Sequence, residues 1–196
     1  MVADFRPTSL IHSFIKLFTK VLAVRLAPHI DGLICTNQSA FIRGRVIHDN
    51  FKAAHLTAKL LHRKKTTCAL LKIDISKAFD SLNWPFLLEL LSHMGFSRRW
   101  VNWISMILSS SSTKIICNGF PGRRICHARG LRQGDPLSPL LFVLAMEALN
   151  ALVRLADSQN LFQRLDPLVK DRLFLYADDV ILFTAARQQD SGDVCS

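Results

Sequence analysis

Apolar residues recur at helical spacing in some stretches of this chain and run almost unbroken in others. Phe14, Leu17, Phe18, Val21 and Leu22 mark the buried stripe of a helix over 12–27, and Pro28 stops it. A loop spans 36–46 and a second helix 49–63. CALLKIDI, 68–75, is a short apolar run that reads as a strand. Phe86, Leu87, Leu90 and Leu91 predict a helix over 84–94, which Gly95 ends. Trp100, Trp103, Ile104, Ile107 and Leu108 give a helix over 98–109. Asn118-Gly119 is a hairpin-turn signal between 114–117 and a strand through 124–127. A long apolar helix over 136–156 and a hairpin over 173–183 complete the pattern. These elements predict an α+β fold: a few antiparallel strands with helices packed on one face.

Composition narrows the class. At 196 residues and 49% hydrophobic, the chain can bury one sizeable core, and a single domain is expected. Twenty-five Lys and Arg against 15 Asp and Glu give +10, which favours a polyanionic partner. Five cysteines form no CxxC pair, which argues against a zinc site and a secreted disulfide scaffold. MVADFRP lacks the shape of a signal peptide. Glu147 and Asn150 interrupt the apolar stretch 137–153, so it reads as a buried helix and no membrane partner is expected.

The candidate chemistry sits at strand ends. In FLYADDVILF, 174–183, Asp178 and Asp179 separate two apolar runs. Asp is common in turns, so the pair alone reads first as a solvated hairpin. A second acid, Asp74, closes the 68–75 run. If that strand lies beside the hairpin, three carboxylates converge, and their mutual repulsion calls for a cation. Hard oxygen donors favour Mg²⁺ or Mn²⁺. A third segment, RGLRQGDPLSP over 129–139, is a Gly/Pro loop in which Asp135 or Ser138 can cap the following helix. Gly134 permits close backbone approach to a planar ligand, and Gln133 offers hydrogen bonds to a base or to a backbone group.

Taken together, FRPTSL (5–10), QSAFIRGRVIHDNF (38–51), LLKIDISKAFDSLNW (70–84), RGLRQGDPLSPLLF (129–142) and YADD (176–179) resemble a reverse transcriptase. The likeness is to the non-LTR retrotransposon type, close to the long interspersed elements of plants. It implies the palm of a right-hand polymerase with partial fingers, its sheet carrying the carboxylates and helices on the other face. Residues 1–67 would be fingers and 68–185 palm, with 110–130 returning to the fingers. Family members extend further on both sides, so the chain reads as a piece of an element, truncated at both ends.

The resemblance also implies roles. Asp74, Asp178 and Asp179 would be the catalytic metal ligands, holding two Mg²⁺ ions, with Mn²⁺ as an alternative. Phe79 would be a steric gate against the ribose 2′-hydroxyl; a core aromatic is the plainer reading. Gln133 and Gly134 would line the nucleotide pocket, and Arg6 would hold the incoming triphosphate. Arg43, Arg45 and Tyr176 would touch template or primer. The expected function is RNA-directed DNA synthesis, with an RNA template, a DNA primer and deoxynucleoside triphosphates as partners, inside the cell in nucleus or cytoplasm. Two alternatives stand beside it: a catalytically dead remnant that binds nucleic acid by charge, and an RNA-dependent RNA polymerase, against which Phe79 argues.

Overall fold

The computed structural model describes residues 13–185, and in chain order these form α1 (Ser13–Ile30), α2 (Ile47–Arg63), β1 (Cys68–Asp74), α3 (Ala78–Ser81), α4 (Trp84–His93), α5 (Arg98–Ser109), β2 (Ser112–Cys117), β3 (Phe120–Cys126), α6 (Ser138–Ser158), β4 (Leu173–Tyr176) and β5 (Asp179–Ala185). The chain divides into two compact units. Among the described residues, one holds 13–34 and Ser76–Ala148; the other holds Cys35–Ile75 and 149–185.

In the first unit α4 and α5 pack together and bury Leu87, Leu91, Ile104 and Leu108. Each helix starts at a side-chain cap: Asn83 accepts the Phe86 amide at 3.0 Å, and Ser97 accepts the Trp100 amide at 3.3 Å. Asn118 and Gly119 both take positive φ and join β2 to β3, as the turn signal predicts. Along α6, Leu140 to Met146 are all buried, so this helix serves as core.

Two expectations for α1 need correcting. The helix continues through Pro28 to Ile30. Pro28 falls in the last turn, where few residues remain to be disrupted, and burial of Ile30 (2% exposed) holds that turn. The buried stripe is Thr19, Leu22, Ala23, Leu26 and Ile30, whereas Phe14, Leu17 and Val21 are exposed. Apolar residues lie on more than one side of this helix, and its sequence does not choose between the stripes they offer.

The second unit is built on a three-stranded antiparallel sheet in the order β1-β5-β4. Register pairs Cys68 with Ala185 at one end and Asp74 with Asp179 at the other. Side chains alternate across a strand, so Asp179, Ile181 and Phe183 share one face. Phe174 and Phe183 meet edge-to-face at 6.0 Å, and Ala54 and Leu61 of α2 join them in a buried cluster. The carboxylate face is therefore covered over Phe174 and Phe183, and it is open at its acidic end and along β1, where Leu70 and Lys72 are exposed. The expectation that helices pack solely on the opposite face fails for α2, because Phe174 and Phe183 need an apolar cover.

Candidate active site

The acidic end is assembled by strand register. Asp179 opens the central strand and pairs with Asp74 on one side and Tyr176 on the other. The Ile75 amide donates to the Asp178 carbonyl at 3.3 Å. In an antiparallel ladder this bond flanks a non-hydrogen-bonded pair, the kind whose side chains lie closest. Asp74 and Asp179 thus stand side by side on one face, both exposed. Like charges opposed in this way destabilise a sheet unless solvent or a cation intervenes. Asp178 sits in the turn itself, half-buried. Among the described residues no three His, Cys, Asp or Glu side chains are gathered as a metal-binding group. The convergence seen is a pair on the strands with a third acid next to it in the chain.

The turn is held in place. Ala177, in the left-handed region at φ 52°, is buried at 6% exposure. A non-glycine residue there is strained, and only surrounding structure keeps it so. That structure is the 37–39 segment, which runs beside β4 through a parallel bridge between Gln38 and Leu175. The Leu175 amide donates to the Asn37 carbonyl at 2.8 Å, and the Ser39 amide to the Leu175 carbonyl at 3.3 Å. Gln38 is fully buried, and its Oε1 accepts the amides of Ala40 (2.9 Å) and Ala177 (3.3 Å). Asn50 Nδ2 donates to the carbonyls of Asn37 (3.0 Å) and Leu175 (2.7 Å). Sequence reasoning quoted the QSAFIRGRVIHDNF segment but gave roles only to its arginines. Its Gln and Asn are what brace the acidic turn. Their signal was a polar amide, in a loop for Gln38 and in the first turn of α2 for Asn50, which looks the same whether a side chain faces water or a neighbouring strand.

Arg45 is half-buried, and its Nη1 donates to the carbonyls of Cys35 (2.5 Å) and Gln38 (2.7 Å). Arg43 is exposed, as is Tyr176, at 38%. Arg6 lies outside the described residues.

The other residues singled out in the sequence belong to the first unit, where the motif around Phe79 meets the 129–139 loop. The amides of Gly130 and Leu131 donate to the carbonyls of Leu82 and Phe79, each at 2.7 Å. Trp84 Nε1 donates to the Gly130 carbonyl at 2.7 Å. Gly130 takes φ 84°, and a Cβ there would lie 2.6 Å from the Asp80 carbonyl oxygen, so only glycine fits. Phe79 is half-buried, its ring stacked on Phe142 at 4.5 Å. Gln133 Nε2 donates to Asp80 Oδ1 at 3.3 Å. Gly134 also has φ 84°, but nothing lies within 4 Å of a Cβ placed there.

Asp135 is 5% exposed, and its Oδ1 accepts the Leu137 amide at 2.8 Å. Burial pushes its carboxyl above the ordinary 3.8, opposed by the Leu137 amide, Thr19, Arg132 and the Ser138 amide. Arg132 ties the loop to the end of α5, through Nε to Ser111 Oγ (2.6 Å) and Nη2 to the Ile107 carbonyl (3.1 Å) and Ser110 Oγ (3.0 Å). Its guanidinium is depressed by burial, with Asp135 opposing.

Known proteins agree with this reading at the level of family and fold. The profile of "Reverse transcriptase (RNA-dependent DNA polymerase)" matches residues 2–194. A retrovirus-related Pol polyprotein from the type-1 retrotransposable element R2 of Nasonia vitripennis is 32% identical over 186 residues, 95% of this chain. The chain spans 18% of that relative's length. An uncharacterized mitochondrial protein of Arabidopsis thaliana, AtMg01250, is 54% identical over 45 residues, 23% of this chain and 37% of its own length. That short match does not establish the plant affiliation, and the retrotransposon relatives give it no support. Telomerase from Candida tropicalis, solved with a TWJ fragment of telomeric RNA, superposes with a TM-score of 0.59 at 14% identity, over 88% of this chain and 30% of its own. With the motifs in order and the profile matched almost end to end, the chain belongs to the reverse transcriptase family, beside the polyproteins of non-LTR retrotransposons.

Proposed function

We propose that this chain is the polymerase part of a longer retroelement protein and carries out RNA-templated DNA synthesis. The single observation behind this is the register of β1 on β5, which sets Asp74 beside Asp179 on an open sheet end. In the reaction a primer 3′-hydroxyl attacks the α-phosphate of a deoxynucleoside triphosphate, and pyrophosphate leaves. Residues 68–185 act as palm and 1–67 as part of the fingers, with 110–130 returning toward the fingers.

The donor set fits Mg²⁺. This ion prefers oxygen and is commonly held by one or two carboxylates together with waters and substrate phosphates, so a close cage of three protein acids is not required. Asp74, Asp178 and Asp179 are the residues that would hold it, with Mn²⁺ as a substitute. A divalent ion bound there would activate the attacking hydroxyl and offset charge on the leaving oxygen. Gln38 and Asn50 keep the acidic turn in one shape, which limits reorganisation during reaction.

The half-exposed ring of Phe79, backed by Phe142, offers a rigid edge against a ribose 2′-hydroxyl. Gln133 and Gly134 shape the nucleotide pocket, and the empty space over Gly134 suits close approach of a base or sugar. Arg6 steadies the triphosphate, and Arg43 and Tyr176 meet template or primer. Retroelement chemistry of this kind belongs in nucleus or cytoplasm.

Primer extension on an RNA template tests the reading, with Asp178→Asn and Phe79→Ala run in parallel. Mg²⁺-dependent incorporation that Asp178→Asn abolishes is expected. Phe79→Ala should admit ribonucleotides while the wild type rejects them. Equal incorporation by wild type and Asp178→Asn would remove the metal role. The net charge of +10 supports a second reading, a basic nucleic-acid-binding remnant; salt-sensitive RNA binding without any incorporation would favour it.

A further inference from the structure

A cavity of about 540 Å³ opens between the C-terminal part of α6 and the 159–172 segment, within the second unit. Its walls carry Arg154, Arg164, Lys170 and Arg172 with Asp157 and Asp166, and Arg154 pairs at 3.8 Å with the neighbouring Asp171. Both wall acids are already engaged. Asp157 Oδ1 accepts Arg172 Nη2 at 2.5 Å, and Asp166 lies 3.8 Å from Lys64.

Arg172 is the unusual member. It is 8% exposed, and its guanidinium lies 4.9 Å from the centre of the Phe162 ring. Nη2 also reaches the Gln163 carbonyl at 3.4 Å, yet buried Nε and Nη1 have no acceptor. A guanidinium presents its five N–H groups as a planar fork, and a buried one leaving two nitrogens unserved is a costly arrangement. An anion with several oxygens at one centre answers that need, and phosphate matches the fork.

We propose that this basic cavity is a phosphate-binding site separate from the carboxylates. Arg172 immediately precedes β4, and the acidic turn follows that strand's other end. At a rise of about 3.3 Å per residue the two are roughly 17–20 Å apart. The site needs no metal and none of the three acids. Its size suits a single phosphorylated unit, within the roughly 300–1,000 Å³ of small-ligand pockets. The phosphate comes either from a free nucleotide or from one residue of a nucleic-acid strand.

Isothermal titration of the purified chain at fixed ionic strength, in EDTA, tests this with three probes: inorganic phosphate, deoxyadenosine 5′-monophosphate and a ten-nucleotide RNA. EDTA keeps divalent ions off the carboxylates, so failure of the polymerase reading would leave this result untouched. Arg164→Gln/Lys170→Gln changes the cavity wall without touching buried Arg172, and Arg123→Gln/Arg124→Gln removes equal charge from the β3 strand. The wild type and the β3 variant should bind phosphate saturably, and the cavity variant at least ten-fold more weakly. Arg172→Lys, checked for folding by circular dichroism, should lose binding as well. RNA binding ten-fold tighter than the mononucleotide, with the gain lost in the cavity variant, identifies a strand as the source; equal affinities identify a free nucleotide. Absence of saturable phosphate binding, or equal binding by the cavity and β3 variants, overturns the proposal.

Discussion

Asp135 and Asp179 both come from short acidic motifs, yet the fold uses them in opposite ways. Asp135 is buried, accepts the Leu137 amide at the start of α6, and is pushed toward its neutral form. Asp179 is exposed and stands opposite another acid, where its charge repels. The first arrangement favours folding and leaves little access for chemistry. The second adds nothing to stability and leaves two carboxylates open to a cation. An acid that costs stability where it stands is a better candidate for function than one that caps a helix.

Substituting each acid in turn tests this contrast most severely. Asp179→Asn should reduce incorporation by about 100-fold or more, while its urea midpoint holds or rises because a repulsive pair is relieved. Asp135→Ala should instead cost about 1–2 kcal/mol of stability through the lost cap. A destabilised Asp179→Asn or an unaffected Asp135→Ala would erase the contrast.

The glycines of the same loop sharpen it further. Gly130→Ala meets the Asp80 carbonyl and a positive φ together, so roughly 2–4 kcal/mol of stability should be lost in denaturant unfolding. Gly134→Ala meets only the backbone strain, about 1–2 kcal/mol. If a nucleotide uses the space above Gly134, that substitution should raise KM for the triphosphate more than its stability loss explains.

The smallest expected effect is in pH dependence. A carboxyl raised by burial binds its proton more tightly folded than unfolded. Its contribution is complete below the unfolded value near 3.8 and is lost as pH rises through the folded value. Thermal unfolding of Asp135→Asn should therefore show a flatter stability profile across the mildly acidic range than the wild type. A profile unchanged by the substitution would remove the burial argument.

The helices at 84–94 and 98–109 were legible from apolar spacing, and Gly95 marked the end of the first. The turn at Asn118-Gly119 was legible from residue type, and a turn was expected at Asp178-Asp179, which the structure shifts one residue back to Ala177-Asp178. The three acids were legible because each interrupts or ends an apolar run. The braces were not. Gln38 and Asn50 act through strands far along the chain, and nothing local distinguishes them from solvated amides. The bonds that Arg45 makes to the Cys35 and Gln38 carbonyls were likewise not legible.

Local preference alone settled where this chain winds, extends and turns, and which residue types arrive at the strand ends, because those choices rest on neighbours a few positions away. Long-range pairing and burial settled the rest: that Asp74 meets Asp179, that Asp135 is sealed, that α1 hides the stripe it does, and that Arg172 faces a basic cavity with nitrogens unserved. These depend on contacts between segments distant in the chain, whose register and packing are chosen by the whole core at once.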